Sequence, residues 1–220
     1  MGRMEFLLIL PVLLFSVVVH EVAHAQVARW EGDDTAYALG RITLNPIPHL
    51  DLMGSVIVPL LFIFLPGDFL FGWAKPVPVN PGNFRVRKWG DIRVSLAGIV
   101  ANFILAILFT LLVVAVLLLR EVTWNMGGAW SVIAQAAYYG VFINLILAIF
   151  NLIPIPPLDG SHVVFHLLPA RLGARYRELG RYGLVVIILL VYVVPGAFEV
   201  ALWPVRFLMT AADSFISLWM

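Results

Sequence analysis

Apolar runs long enough to cross a lipid bilayer occupy most of this chain, and they constrain its fold more than any other feature. They lie at about 4–28, 51–72, 94–119, 129–153 and 183–218, each near the ~20 residues a helix needs to span ~30 Å of hydrocarbon. The last is interrupted by Pro195, Gly196, Glu199 and Pro204 and reads as one span or two short helices. Of the 220 residues 62% are hydrophobic and 12% charged, and the mean hydropathy is +0.98. The expected class is therefore an all-α polytopic membrane protein, a helical transmembrane bundle. A single membrane domain over residues 1–220 accounts for the length, with a catalytic core at about 4–166, C-terminal helices at about 183–218 and almost no room for a soluble domain. The absence of cysteine excludes disulfides and thiolate metal ligands. With a net charge of +1 and no long basic stretch, the lipid bilayer is an expected partner and nucleic acid is not.

Three polar connections separate the runs. "RWEGDDTAYALGRITLNPIPHLD" carries an acidic cluster and then Tyr, Ile and Thr before Pro46 and Pro48, a pattern that predicts a short strand or hairpin over about 36–48. "GWAKPVPVNPGNFRVRKWGDIR" has Pro76, Pro78 and Pro81 at close spacing, which favours extended backbone over helix. "LPARLGARYRELGRYG" is basic.

The first run ends in "SVVVHEVAHAQ", with two imidazoles and a carboxylate where each is costly to bury. His20 and His24 are four residues apart, hence on one face of a helix and one turn from each other, able to chelate one ion. Glu21 projects near the same side, where a base acting on water polarised by a metal would stand. This is the HExxH arrangement of zinc hydrolases. Helix-end residues reaching for headgroups are the bland alternative, weakened because "VVV" precedes the motif and "AHAQVA" follows it. Arg3, the apolar run and "AHA" also resemble a signal peptide, but the apolar region would be long and would end in His-Glu.

Catalytic zinc takes three protein ligands and keeps one position open. The third donor must come from Asp159, His162, His166, His49, Asp68 or Glu199. Asp159 stands in "NLIPIPPLDG", where Asn151, Pro154, Pro156 and Pro157 break the end of a long apolar run. Unwound backbone at membrane depth is tolerated only when buried in protein or lining a wet cavity. An ordinary N-cap for a helix starting near Gly160 is the alternative role for this carboxylate. Asp159, His162 and His166 also share one helix face, which allows a second metal site.

HExxH followed by Asn151, Pro154, Leu158, Asp159 and Gly160 in the order Asn-x-x-Pro-x-x-x-Leu-Asp-Gly resembles the site-2 protease family of intramembrane zinc metalloproteases, peptidase family M50. "LAGIVAN", Leu96 to Asn102, is similar to that family's AGPxxN helix, with Ile99 where proline is usual. The resemblance spans about Phe6 to His166 and implies one zinc per chain held by His20, His24 and Asp159. It further implies water activation by Glu21, and roles for Asn102 and Asn151 in positioning substrate or polarising its carbonyl.

A shared ion constrains topology. His20 lies near the exit end of the first helix, and Asp159 follows the 129–153 run, so the two helices must cross in the same direction. The 51–72 segment, broken by Gly54, Pro59, Pro66 and Gly67, is then expected to be a re-entrant hairpin that does not cross. Arg29, Arg41, Lys75, Arg85, Arg87, Lys88, Arg93, Arg171, Arg175, Arg177 and Arg181 would all lie on one side, which the positive-inside rule makes cytoplasmic. The expected function is hydrolysis of transmembrane protein substrates at a zinc site facing the cytoplasm, in a membrane of prokaryotic type. The rival reading is a metal or ion carrier built on the same polar cluster, for which no inverted repeat is visible. An inactive scaffold would have no use for an unaltered set of ligands and base.

Overall fold

The computed structural model describes residues 3–57, 74–122, 128–183, 185, 189, 193 and 196–219, and over these residues it is helical with no strand. The helices are α1 (Arg3–Glu31), α2 (Thr35–Ala38), α3 (Arg87–Val122), α4 (Gly128–Leu152), α5 (Gly160–Leu167), α6 (Ala170–Glu178) and α7 (Ala197–Ser217). Among the described residues three stretches are long and apolar enough to cross a membrane: Leu7–Glu31, Arg87–Leu119 and Gly128–Leu152. They overlap three of the expected apolar runs, those at about 4–28, 94–119 and 129–153. Ile99, where proline is usual in the similar motif, leaves α3 unbroken because its N–H stays available to the helix.

α1, α3 and α4 pack on one another, and polar contacts set their register. Ser16 and His20 of α1 meet Asn102 of α3, while His24, one turn further along, meets Val94. Rising numbers on α1 thus match falling numbers on α3, so the two are antiparallel. Asn144 of α4 reaches Ser16, and Asp159, beyond the end of α4, reaches His20 and His24, so α4 runs parallel to α1. The Arg85 N–H donates to the Glu31 carbonyl at 2.9 Å, joining the end of α1 to the start of α3. The end of α1 and the start of α3 therefore lie side by side at one end of the bundle. The expected re-entrant segment 51–72 shows a π-helical turn at Leu52–Ile57 and otherwise lies outside the described residues. α7 lies against α4, where Val205 joins Ala106, Val141 and Leu145 in a buried cluster.

The strand expected over 36–48 is corrected. Thr35–Ala38 is a helical turn, Gly40 takes a left-handed φ of 65°, and Ile47–His49 is a 3-10 turn. Local side-chain bonds win here: the Asn45 Oδ1 accepts the Ile47 N–H at 3.1 Å and the Thr43 Oγ1 accepts the Asn45 N–H at 3.1 Å. Such bonds supply the backbone partners that a ladder would otherwise provide, and Pro46 and Pro48 have no N–H to offer one.

Residues 74–80 are irregular and non-helical, as their prolines imply, and form a strap across the end of α1. Val77 packs with Ala25 and Ala36, and Phe84 packs with Ala28 and Val94. Burying two side chains of this size contributes roughly 1.5–3 kcal/mol each.

Candidate metal centre

His20 and His24, on the inward face of α1, are 7% and 8% exposed, and burial at that depth makes the state of each ring nitrogen matter. The Val94 carbonyl lies 2.7 Å from His24 Nδ1. A carbonyl only accepts, so His24 Nδ1 carries a hydrogen, and the neutral ring keeps its lone pair on Nε2.

His20 is oriented by a longer relay. Ser16 donates its hydroxyl to the Val12 carbonyl at 2.8 Å and accepts from the Asn144 amide at 2.8 Å. Asn144 also donates to the Gly140 carbonyl, and its Oδ1 accepts from the Asn102 amide at 2.8 Å. Asn102 Oδ1 then accepts from His20 Nδ1 at 2.6 Å. Because the chain ends on a backbone carbonyl, every orientation in it follows, and the neutral His20 ring also keeps its lone pair on Nε2. Ser16, Asn102 and Asn144 are fully buried, so a missing partner would cost about 1–3 kcal/mol.

The two Nε2 atoms face each other at 2.9 Å, and Asp159 Oδ2 lies 3.2 Å from one and 3.3 Å from the other. Asp159 Oδ2 is buried and has no hydrogen-bond partner despite those distances. With both rings neutral, three lone-pair atoms converge, an arrangement that a shared cation relieves. A tetrahedral zinc with bonds of about 2.0–2.1 Å separates its ligands by roughly 3.3 Å, close to the two carboxylate spacings. The donor set, two imidazoles and a carboxylate, therefore fits zinc.

Local structure explains how Asp159 gets there. It occupies the N-cap position of α5, yet its side chain makes no capping bond. Gly160 is buried so closely on the end of α4 that a Cβ would overlap the Leu152 carbonyl. Gly98 plays the same part on α3, where a Cβ would lie 2.5 Å from His20 Cε1 and 2.6 Å from His24 Nε2.

Glu21 is half-buried, and its Oε2 accepts the Val77 N–H of the strap at 2.7 Å. The strap is pinned on both sides of this contact. Arg41 donates to the carbonyls of Lys75 and Pro76 at 2.8 and 3.3 Å, and Asp33 accepts from the Asn80 N–H at 2.7 Å and the Asn83 amide at 2.8 Å. Burial would raise the Asp33 carboxyl, but bonds from Asn80, Thr35 and Asn83 outweigh it and hold the group below the ordinary carboxylate range.

The other sequence candidates lie elsewhere. His49 is buried with Nε2 3.0 Å from the Thr43 carbonyl, Glu199 is exposed on α7, and Asp68 lies outside the described residues. His162 and His166 face Asp91, not Asp159, so the second metal site on one face of α5 does not form. Among the described residues the His20, His24 and Asp159 group is the one with three converging donors. Asn102 has both ends of its amide engaged in the interior, behind His20 and not facing an open site. Asn151 stands in the last turn of α4 and donates to the Leu147 carbonyl at 3.0 Å. Sequence reasoning missed Ser16, Asn144 and Asp91; Ser16 and Asn144 were legible as polar residues inside apolar runs, whereas Asp91 lies in a polar connection that marks nothing out.

Known proteins that resemble this chain share a family description. The model of peptidase family M50 matches residues 121–194. A Bacillus subtilis protein named "Putative zinc metalloprotease YwhC" is 38% identical over 207 residues, covering 94% of this chain and 88% of that protein. "Putative zinc metalloprotease Rip2" of Mycolicibacterium smegmatis is 34% identical over 70% of this chain and 55% of its own length. "Zinc metalloprotease MJ0392" of Methanocaldococcus jannaschii is 27% identical over 79% of this chain and 38% of its own. No solved structure matches. Identity at this level across nearly the whole of both chains, joined to the HExxH helix and the Leu-Asp-Gly turn, places this chain in peptidase family M50, the site-2 protease family of zinc metalloproteases.

Proposed function

We propose that the chain is an intramembrane zinc endopeptidase that hydrolyses peptide bonds of transmembrane protein substrates. The observation that carries the reading is the convergence of His20 Nε2, His24 Nε2 and the unpartnered Asp159 Oδ2 within a bundle of apolar helices. His20, His24 and Asp159 hold the ion, and zinc when bound supplies Lewis-acid polarisation of the scissile carbonyl and of water.

The remaining steps fall to the chain's own groups. Glu21 takes the proton of the attacking water and returns it to the leaving amine. The Val77 N–H holds one oxygen of that carboxylate and leaves the other for the proton. Asn102, as the acceptor of the His20 Nδ1–H, keeps the ring in the tautomer that binds metal. Asn151 engages one N–H on Leu147 and offers the second to a substrate carbonyl. A transmembrane helix bonds its own amides, so the substrate must unwind before attack, and the pinned strap at 74–80 is the candidate surface for holding it extended. The basic residues beyond the ends of α1 and α4 support, through the positive-inside rule, a site that faces the cytoplasm.

Glu21→Gln separates this reading from a carrier. Cleavage of a transmembrane substrate by the purified variant should fall by about 10²–10⁴-fold with zinc still bound. Undiminished cleavage would remove Glu21 as the base. Lost cleavage combined with wild-type zinc uptake into vesicles would favour the carrier.

A further inference from the structure

Asp91, near the start of α3, is 5% exposed and belongs to no part of the metal centre. His162 Nδ1 lies 3.2 Å from its Oδ1 and His166 Nε2 lies 2.7 Å from its Oδ2. The Arg177 Nη2 stands 4.0 Å from Oδ2, and its guanidinium carbon lies 3.7 Å from the centre of the Phe165 ring. Each imidazole meets a different carboxylate oxygen, so the two nitrogens do not converge as those of His20 and His24 do. With a guanidinium beside them, they describe a carboxylate gripped by several donors, not a cation site.

The grip falls on an element that needs one. α5 has 8 residues, below the ~12–15 that an isolated helix requires to be even marginally stable. Its orientation therefore comes from what holds it, and Asp159 is the residue immediately before its first turn. Gly160 seats that first turn on the end of α4. His162 and His166, one turn apart, fasten the rest of it to α3. Asp91 is also one helical turn from Val94, the carbonyl that orients His24.

We propose that Asp91, through His162 and His166, is a positioning residue that seats α5 on α3 and so aims the Asp159 carboxylate between His20 and His24. One stretch of α3 then sets both a histidine and the carboxylate of the same ion. This inference rests on the reading of His20, His24 and Asp159 as the ligands.

The test uses the full chain in detergent with Asp91→Asn, His162→Ala and Asp159→Asn. Three readouts are taken: zinc affinity by chelator competition, the visible spectrum of the cobalt-loaded protein, and melting of the metal-free protein. Asp159→Asn should lose affinity and change the cobalt spectrum. Asp91→Asn should weaken zinc binding by about 10–100-fold, the usual effect of losing a group that orients a ligand, and should shift the spectrum in the same direction. His162→Ala, at a half-exposed position that tolerates truncation, should show a smaller shift of the same kind. Wild-type affinity and spectrum in Asp91→Asn and His162→Ala, with both lost in Asp159→Asn, would overturn the positioning role and leave the ligand reading intact, even if melting falls. Wild-type binding in Asp159→Asn would overturn the ligand reading, and the positioning role with it. If Asp91→Asn does not fold, unchanged binding and spectrum in His162→Ala overturn the proposal by themselves.

Discussion

A buried histidine binds a cation only if one ring nitrogen keeps its lone pair, and here backbone carbonyls decide which one. For His24 the decision is direct, through Val94; for His20 it passes from Val12 through Ser16, Asn144 and Asn102. Asn144→Leu removes the middle of that relay at similar volume and leaves the Asn102 amide only its long bond to the Ser16 carbonyl at 3.4 Å. Chelator competition should show zinc affinity down by about 10–100-fold, and denaturation of the metal-free variant a loss of about 1–3 kcal/mol. Unchanged affinity would mean that His20 does not depend on the relay. HExxH was legible because its spacing is local, and Asp159 because prolines break the run before it. The relay was not, since Ser16 and Asn144 have no neighbours in sequence to reveal a partnership that only packing creates. Asn102 entered only through the resemblance of its helix to a family motif, and for the same reason its place behind His20 was not legible.

At the scale of elements, long helices were legible from apolar length alone, and connections were legible where proline dictated them. The strap at 74–80 lacks helix because Pro76 and Pro78 forbid it, whereas the strand expected near 36–48 gave way to turns closed by Thr43 and Asn45. The strap's anchor is Asp33, whose carboxylate collects the Asn80 N–H and the Asn83 amide. A carboxyl held below its ordinary range stabilises the fold above its unfolded value, about pH 3.9, and that contribution fades as pH falls through the lower folded value. Metal-free wild type should therefore lose melting temperature between pH 6 and pH 3, while Asp33→Asn should start lower at pH 6 and fall less. A gap between the two that stays constant with pH would contradict the role assigned to Asp33.

For the whole molecule, the shared site and the crossing pattern are one problem. His20 and His24 lie late on α1, Asp159 follows α4, and they meet because α1 and α4 run in parallel with α3 antiparallel between them in sequence. The bond from Arg85 to the Glu31 carbonyl sets the end of α1 beside the start of α3. Sequence reasoning reached the parallel run of α1 and α4 by requiring ligands from distant runs to meet, a constraint that needs no knowledge of packing. The reading is tested most directly by zinc content per chain, measured side by side in purified wild type, His20→Ala and Asp159→Ala. It predicts one zinc in wild type and loss of the ion from both variants, although the two positions sit on different helices. Retention of zinc by Asp159→Ala would contradict it, because the carboxylate after α4 would then have no part in holding the ion.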